Sequence, residues 1–341
     1  MMITRLLTEN IRESNKSIIL LGPRQVGKST LLSTLKPDLT INLARENDFL
    51  RYSSDIDLFS NQIESSGARV VFVDEIQRIP GLLNTIQAII DESKGKRSIR
   101  FMLSGSRARK LRRGQANLLP GRVLSYQMGG LCARELKYKT DTARALRFGF
   151  LPEPYFEAKD SRAEKLLQSY SAIYLHEEIQ AEALARNIQG FARFLMVLAT
   201  SSGQIVDFSK FAKRAKVARS SCVRFVEILE DTLIAHRLEV FDQATEADII
   251  RHPKVYFFDV GVLNGLLNNF NASADRKGML FEHLVYSQIR NSALAHDVAI
   301  DIRYFRTRHG VEVDFIATVA GKVWAIEVKA GDASSQDLSG L

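Results

Sequence analysis

The run "SIILLGPRQVGKSTLL" at residues 17–32 constrains this chain more than any other stretch. Its apolar head, Ser17 to Leu21, reads as a buried strand feeding a turn. From Gly22 the residues fit G-x-x-x-x-G-K-[ST] at every fixed position, and "STLLSTL" opens a helix directly after. Glycines let the backbone wrap a phosphate, and successive N–H groups then point at the anion. Gly22, Pro23, Arg24, Gln25, Val26 and Gly27 are therefore the expected cradle for ATP. Lys28 is expected to reach the β- and γ-phosphates, Ser29 to ligate Mg²⁺, and Thr30 to pack behind. The bland alternative is a glycine-bearing strand-to-helix turn without a ligand.

Two more apolar runs carry chemistry at their ends. "VVFVDEIQ" delivers Asp74 and Glu75 to the C-terminal edge of a strand, where open α/β sheets bind ligands. Asp74 is expected to hold Mg²⁺ and Glu75 to orient or deprotonate the attacking water. A P-loop kinase would pass phosphate to another substrate; the Asp-Glu pair favours hydrolysis. "FMLSGS" ends a third strand with Ser104 or Ser106 as γ-phosphate sensor, or as a simple strand terminator. Arg122 in "LLPGR" is the candidate arginine finger, supplied in trans, with Arg107, Arg109, Arg112 and Arg113 competing. Apolar strands alternating with helices argue for an α/β fold with a parallel sheet covered on both faces.

A chain of 341 residues is too long for one typical domain. No apolar run approaches the roughly 20 residues needed to span a bilayer, and the N-terminus lacks a signal-peptide pattern. Cys132 and Cys222 are far apart and read as buried thiols, so the expected location is cytoplasmic. The net charge of +8 is weak evidence for a polyanionic partner. Residues 100–144 carry eleven Lys/Arg against Glu135 and Asp141, and "SKFAKRAKVARSSCVRF" covers 209–225. Both clusters are either contacts for nucleic acid, DNA first, or solvated faces.

Beyond residue 130 the texture changes. "DSRAEKLLQSYSAIYLHEEIQAEALARNIQGFARFLMVLATSSG" is helical in period and proline-free, as in a lid or linker. "QIVDFSKFAKRAKVARSSCVRFVEILEDTLIAHRLEVF" offers a helix, a turn near Lys216, a second helix and a β-rich tail. With "VYFF" at 255–258 as a return strand, that order resembles a winged helix-turn-helix. Arg219, Ser220, Ser221 and Arg224 would open the recognition helix, and Lys213, Arg214 and Lys216 would touch the backbone. Winged helices also make protein contacts, and that reading stays open. The expected domains are 1–130 (P-loop domain), 131–190 (helical lid or linker), 191–260 (winged-helix-like) and 261–341 (a C-terminal α/β module).

"GPRQVGKSTL", "VFVDEIQRIP", "LSGSR" and "LPGR" together resemble the AAA-type ATPases of bacteria and archaea often known only as ATP-binding proteins. "YFFDVGVLNGLL" and "FEHLVYSQI" resemble the C-terminal region of the same family, a domain of unknown function. The resemblance covers most of the chain and implies Mg-ATP hydrolysis and a restriction-endonuclease-like C-terminal fold. "YLHEEIQAEAL" departs from the family pattern and leaves the role of that region open.

The stretch "VEVDFIATVAGKVWAIEVKAG" adds a second candidate site. Asp314 and Glu327-x-Lys329 match the pattern of PD-(D/E)xK nucleases. Strands near 311–318 and 322–329, joined by the "TVAGKV" turn, would set Asp314 beside Glu327, with Glu327 and Lys329 on one face. Glu282, on the preceding helix, would complete a shell for Mg²⁺ or Mn²⁺, as in that fold. Lys329 would position a water or stabilise developing charge. Three readings stay open: active DNA cleavage, an inactive nuclease fold kept for binding or assembly, and a plain Glu–Lys pair at a strand end. Only "DASSQDLSGL" follows, so a truncated C-terminus is one expectation. His283 and His309 either touch a metal or phosphate or are ordinary surface or partly buried histidines. Arg303, Arg306 and Arg308 are either backbone contacts or a charged edge strand. The functional alternatives are an ATP-driven DNA- or protein-binding switch, and a nucleotide-gated assembly factor with little turnover.

Overall fold

Strands β1 (Ser17–Leu21), β3 (Val70–Asp74) and β4 (Arg100–Gly105) are nearly all buried, because each is covered on both faces. A computed structural model of the protein describes residues 3–93, 98–106, 119, 121–174, 187–242 and 250–331. With β2 (Leu39–Asn42) and β5 (Val123–Gln127) these strands form a parallel sheet in the order β2-β3-β4-β1-β5. Alternate side chains enter different cores. Ile18 and Leu20 pack on one side with Leu31 and Leu32 of helix Lys28–Thr34. Ile19, Leu21, Val71 and Val73 pack on the other with Phe59, Ile63, Leu83 and Ile86 of helices Asp57–Ser66 and Leu82–Glu92. Because all strands run the same way, Leu21, Asn42, Asp74 and Gly105 end at one edge.

The first core does not stop at the sheet. It continues through Leu151 and Leu167 of the helical segment, Phe194, Phe211 and Phe225 of three later helices, and Val255 and Phe257. Helices Thr142–Phe148, Pro152–Phe156 and Asp160–Ser169 lead to a π-helical turn, Tyr170–Tyr174. Residues 175–186, which hold most of the atypical "YLHEEIQAEAL" segment, lie outside the described residues. After helix Ile188–Ala199, helices Phe208–Ala215 and Arg219–Asp231 are joined through Lys216 in the left-handed conformation. An antiparallel pair follows, β6 (Ala235–Leu238) with β7 (Lys254–Phe257).

Asp259 then ties the middle of the chain to its front. Its buried carboxylate accepts from the Gly261 and Val262 amides, capping helix Val260–Leu267, and from the Phe150 amide. Burial pushes this carboxyl up to about 6 against those three donors. Gly261 is required there, since a Cβ would sit 2.1 Å from the Phe148 carbonyl oxygen.

The C-terminal part is helix Ala274–Ala295 and an antiparallel sheet ordered β10-β9-β8, with β8 Ile300–Arg306, β9 Glu312–Val319 and β10 Lys322–Ile326. Val319 pairs with Lys322 across a two-residue turn, Ala320-Gly321, in which both φ angles are positive. The third strand stops at Ile326, short of the expected 329, so Glu327 and Lys329 follow it instead of lying within it. Residues 332–341 lie outside the described set.

Candidate functional site

The loop between β1 and helix Lys28–Thr34 closes on its own lysine. Lys28 Nζ donates to the carbonyl oxygens of Gly22 and Pro23, both at 2.8 Å. Gln25 and Gly27 have positive φ, which curls the intervening backbone. Gly22 is needed for close approach: a Cβ would stand 2.2 Å from the Met128 carbonyl oxygen. Lys28 is buried, and burial pushes its ammonium down to about 8, opposed by Glu75 and Asp74 and assisted by Arg24. Gly22, Pro23 and Val26 form the buried floor of the turn, while Arg24, Gln25, Gly27, Ser29 and Thr30 face the open side. Thr30 is exposed there and does not pack behind as expected.

The acids at the end of β3 meet this loop. The Ser29 hydroxyl donates to Asp74 Oδ1 at 2.8 Å, and Ser104 donates to the same oxygen. Ser104 Oγ also accepts from the Glu75 amide at 3.1 Å. Ser104 is fully buried and braces Asp74. Glu75 sits in the left-handed region (φ 59°), and its carboxylate accepts from Gln77. Gln77 also donates to Ser106 at 3.0 Å. Ser29 Oγ and the Asp74 carboxylate thus converge as hard oxygen donors, a pair that fits Mg²⁺.

Above these groups lies a cleft of about 950 Å³, walled by Phe49, Arg78, Pro152 and Glu153 besides the loop and the two acids. A second cavity of about 690 Å³ shares Gly27, Thr30, Pro152 and Glu153 with it and has a more apolar lining, including Ile3, Leu131 and Phe156. The sequence reading missed this cavity, whose lining comes from four separate stretches of the chain. It also missed Arg5. This buried guanidinium donates to Val26 O at 2.6 Å, Gly129 O at 3.0 Å, Gly130 O at 3.1 Å and Glu135 Oε1 at 2.8 Å. It clamps the phosphate loop to the segment after β5.

Arg122 does not reach its own chain's cleft. Val123 pairs with Ser17, the first residue of β1, so Arg122 lies at the sheet edge opposite the loop. Its guanidinium grips Asp91 in a fork, with contacts of 2.8–3.0 Å. The competing Arg107, Arg109, Arg112 and Arg113 lie outside the described residues.

At the C-terminal acids the structure departs from expectation. Phe315 pairs with Ile326, which sets Asp314 beside Glu327, and Asp314 Oδ2 accepts from the Val328 amide at 2.8 Å. Burial pushes the Asp314 carboxyl up to about 6; that amide and Lys254 pull it down, and Glu282 and Glu327 push it up. Yet Glu282 accepts from Tyr256 and lies 3.6 Å from Lys254 Nζ, and Glu327 Oε1 lies 2.8 Å from Lys329 Nζ. Among the described residues no group of three or more His, Cys, Asp or Glu is arranged to hold a metal. The expected Glu282, Asp314 and Glu327 shell is therefore not assembled, because side-chain cations and a phenol already satisfy two of its members. Lys254, which the sequence reading did not single out, and Tyr256, read there within the return strand at 255–258, are the residues that change the site.

His283 is fully buried, Nε2 lies 2.6 Å from the Phe257 carbonyl oxygen, and burial pushes the ring down to about 4. It is a neutral core residue, more buried than expected. Arg303 pairs with Asp301 at 2.7 Å and Arg306 with Glu312 at 3.1 Å. In the helix-turn-helix, Lys213, Arg214, Lys216, Arg219 and Ser220 are exposed, and Ser221 and Arg224 half-buried. Both cysteines are free and buried. No helix among the described residues is long and apolar enough to cross a membrane.

Residues 14–137 match the family model described as an AAA domain, in agreement with the phosphate-loop geometry. Residues 139–273 and 277–341 match two domains of unknown function, DUF8612 and DUF4143. Uncharacterized proteins of Mycobacterium bovis and Mycobacterium tuberculosis are each 25% identical over 320 residues, covering 92% of this chain and 70% of theirs. Among solved structures, the replication initiator DnaA bound to AMPPCP and single-stranded DNA is 12% identical with a TM-score of 0.33, over 66% of this chain and 85% of that one. The ORC1 protein of Aeropyrum pernix in complex with DNA is 13% identical with a TM-score of 0.32, over 77% and 89%. Likenesses this distant carry no weight for function.

Proposed function

We propose that the chain binds Mg-ATP in the cleft at the end of β1 and β3 and hydrolyses it. The observation that carries this reading is the convergence of Lys28, Ser29, Asp74 and Glu75 on one open cleft. A triphosphate replaces the Gly22 and Pro23 carbonyls as the partner of Lys28. The loop amides grip its oxygens, and the base lies in the adjoining apolar cavity beside Ile3 and Leu131. Ser29 and Asp74 would hold Mg²⁺, which would supply neutralising charge to the triphosphate. Glu75 leaves Gln77 to orient the attacking water. Arginine supplied in trans within a homo-oligomer belongs to the same proposal.

Nucleic acid is the proposed partner, and the exposed bases around Lys216 support it. They lie on a helix-turn-helix followed by the β6–β7 pair, an order that resembles a winged helix. For the C-terminal module the engaged Glu282 and Glu327 favour a nuclease-like fold without cleavage, so that the chain acts as an ATP-driven binding switch. The test is phosphate release by the parent and by Glu75→Gln. The parent is expected to release phosphate only with Mg²⁺, and the variant to lose about 10²-fold or more while still binding ATP. Absence of Mg²⁺-dependent release from the parent overturns the hydrolytic reading.

A further inference from the structure

A lysine of the chain itself stands among the C-terminal acids. Lys254 Nζ lies 3.0 Å from Glu312 Oε1 and 3.6 Å from Glu282 Oε1, with a side chain only 4% exposed. It sits over the Tyr304 ring at 5.4 Å. Tyr256, two residues on and therefore on the same face of β7, donates its hydroxyl to that same Glu282 oxygen. Glu282 is on helix Ala274–Ala295 and Glu312 on β9, so β7 drives an ammonium and a phenol between the helix and the sheet. The neighbouring acids are also engaged, Asp314 by the Val328 amide and Glu327 by Lys329.

A divalent ion on Glu282 and Asp314 would share the Glu282 carboxylate with Lys254 and Tyr256 and stand close to a buried positive charge. The repulsion is costly because the Lys254 side chain is only 4% exposed, so water screens its charge poorly. The geometry points to Lys254 as the resident cation of this cleft: an ionic joint that fastens the β6–β7 hairpin to the C-terminal sheet and keeps divalent metal out. This rests on reading Glu282, Asp314 and Glu327 as a nuclease-like acid set. It assigns that set a structural cation in place of a metal.

The test is Mn²⁺ binding followed by electron paramagnetic resonance on nucleotide-free full chain. The parent and Asp314→Asn are expected to bind Mn²⁺ alike. Lys254→Met is expected to gain one equivalent at least tenfold tighter than anything in the parent, lost again in Lys254→Met/Asp314→Asn. A parent site that disappears in Asp314→Asn overturns the joint and makes the cleft a metal centre beside Lys254. A folded Lys254→Met without the gain overturns exclusion by Lys254. A second readout needs no variant at position 254: reductive methylation of the parent with mass spectrometry. Lys254 is expected to stay unmodified with and without Mn²⁺ while exposed Lys322 labels; Mn²⁺-induced labelling of Lys254 contradicts the joint.

Discussion

Ser29 and Asp74 are 45 positions apart in the chain, yet the serine hydroxyl donates to the aspartate at 2.8 Å. The contact exists because β1 and β3 flank β4 in one parallel sheet and end at the same edge. It sets the expected behaviour of Asp74→Asn. That change keeps the shape and removes the charge proposed to hold Mg²⁺, so hydrolysis should fall about 10²-fold or more. Nucleotide affinity without Mg²⁺ should be little changed. Phosphate release across a magnesium titration checks this, and an unaltered magnesium dependence contradicts it.

Lys28 gives the site a pH signature. Its free ammonium loses a proton near pH 8, since burial lowers it to about that value. A bound triphosphate favours the charged form, so the pKa rises in the complex. Above pH 8, binding should therefore take up a proton, and affinity should fall by up to about tenfold per pH unit. Calorimetry in two buffers of different ionisation enthalpy should give uptake approaching one proton at pH 9 and close to none at pH 7.

Arg5 and Glu135 form a buried pair at 2.8 Å, with side chains 9% and 0% exposed. Arg5→Ala leaves the carboxylate buried without its countercharge, with only the Leu6 and Cys132 amides as partners, at a cost of about 3–5 kcal/mol. The double variant Arg5→Ala/Glu135→Ala should recover part of that loss. Urea unfolding of the four proteins measures the coupling; purely additive losses contradict a direct pair.

What was readable beforehand follows from how local each signal is. The phosphate loop announces itself because glycine, lysine and hydroxyl sit at fixed spacing within nine residues. Strands β1, β3 and β4 read as apolar runs because both their faces are covered; β2 and β5, at the sheet's edges and partly exposed, leave no such run. The Arg122–Asp91 pair is not legible in the sequence because it is set by tertiary approach, not spacing. The same holds for Arg5, which meets Glu135 across 130 positions, and for Lys254, whose acids lie on a later helix and strand. The Asp314–Glu327 juxtaposition was legible because a two-residue hairpin fixes the register; the loss of Glu282 to Tyr256 was not.

The exposed bases of the helix-turn-helix predict salt-dependent binding to duplex DNA. Replacing Lys213, Lys216 and Arg219 together by alanine should weaken binding uniformly across sequences and reduce the log–log salt slope by about 2–3. Fluorescence anisotropy over a salt series measures it. An unchanged slope assigns this face to something other than phosphate contact.

The central claim is that the loop from Gly22 to Ser29 grips a triphosphate through Lys28. Equilibrium titration of a fluorescent ATP analogue with Mg²⁺, on the parent and on Lys28→Ala, tests it most directly. The account predicts saturable binding by the parent and a loss of about 10²-fold or more in the variant. Equal affinity in the two proteins, or no binding by the parent, contradicts it.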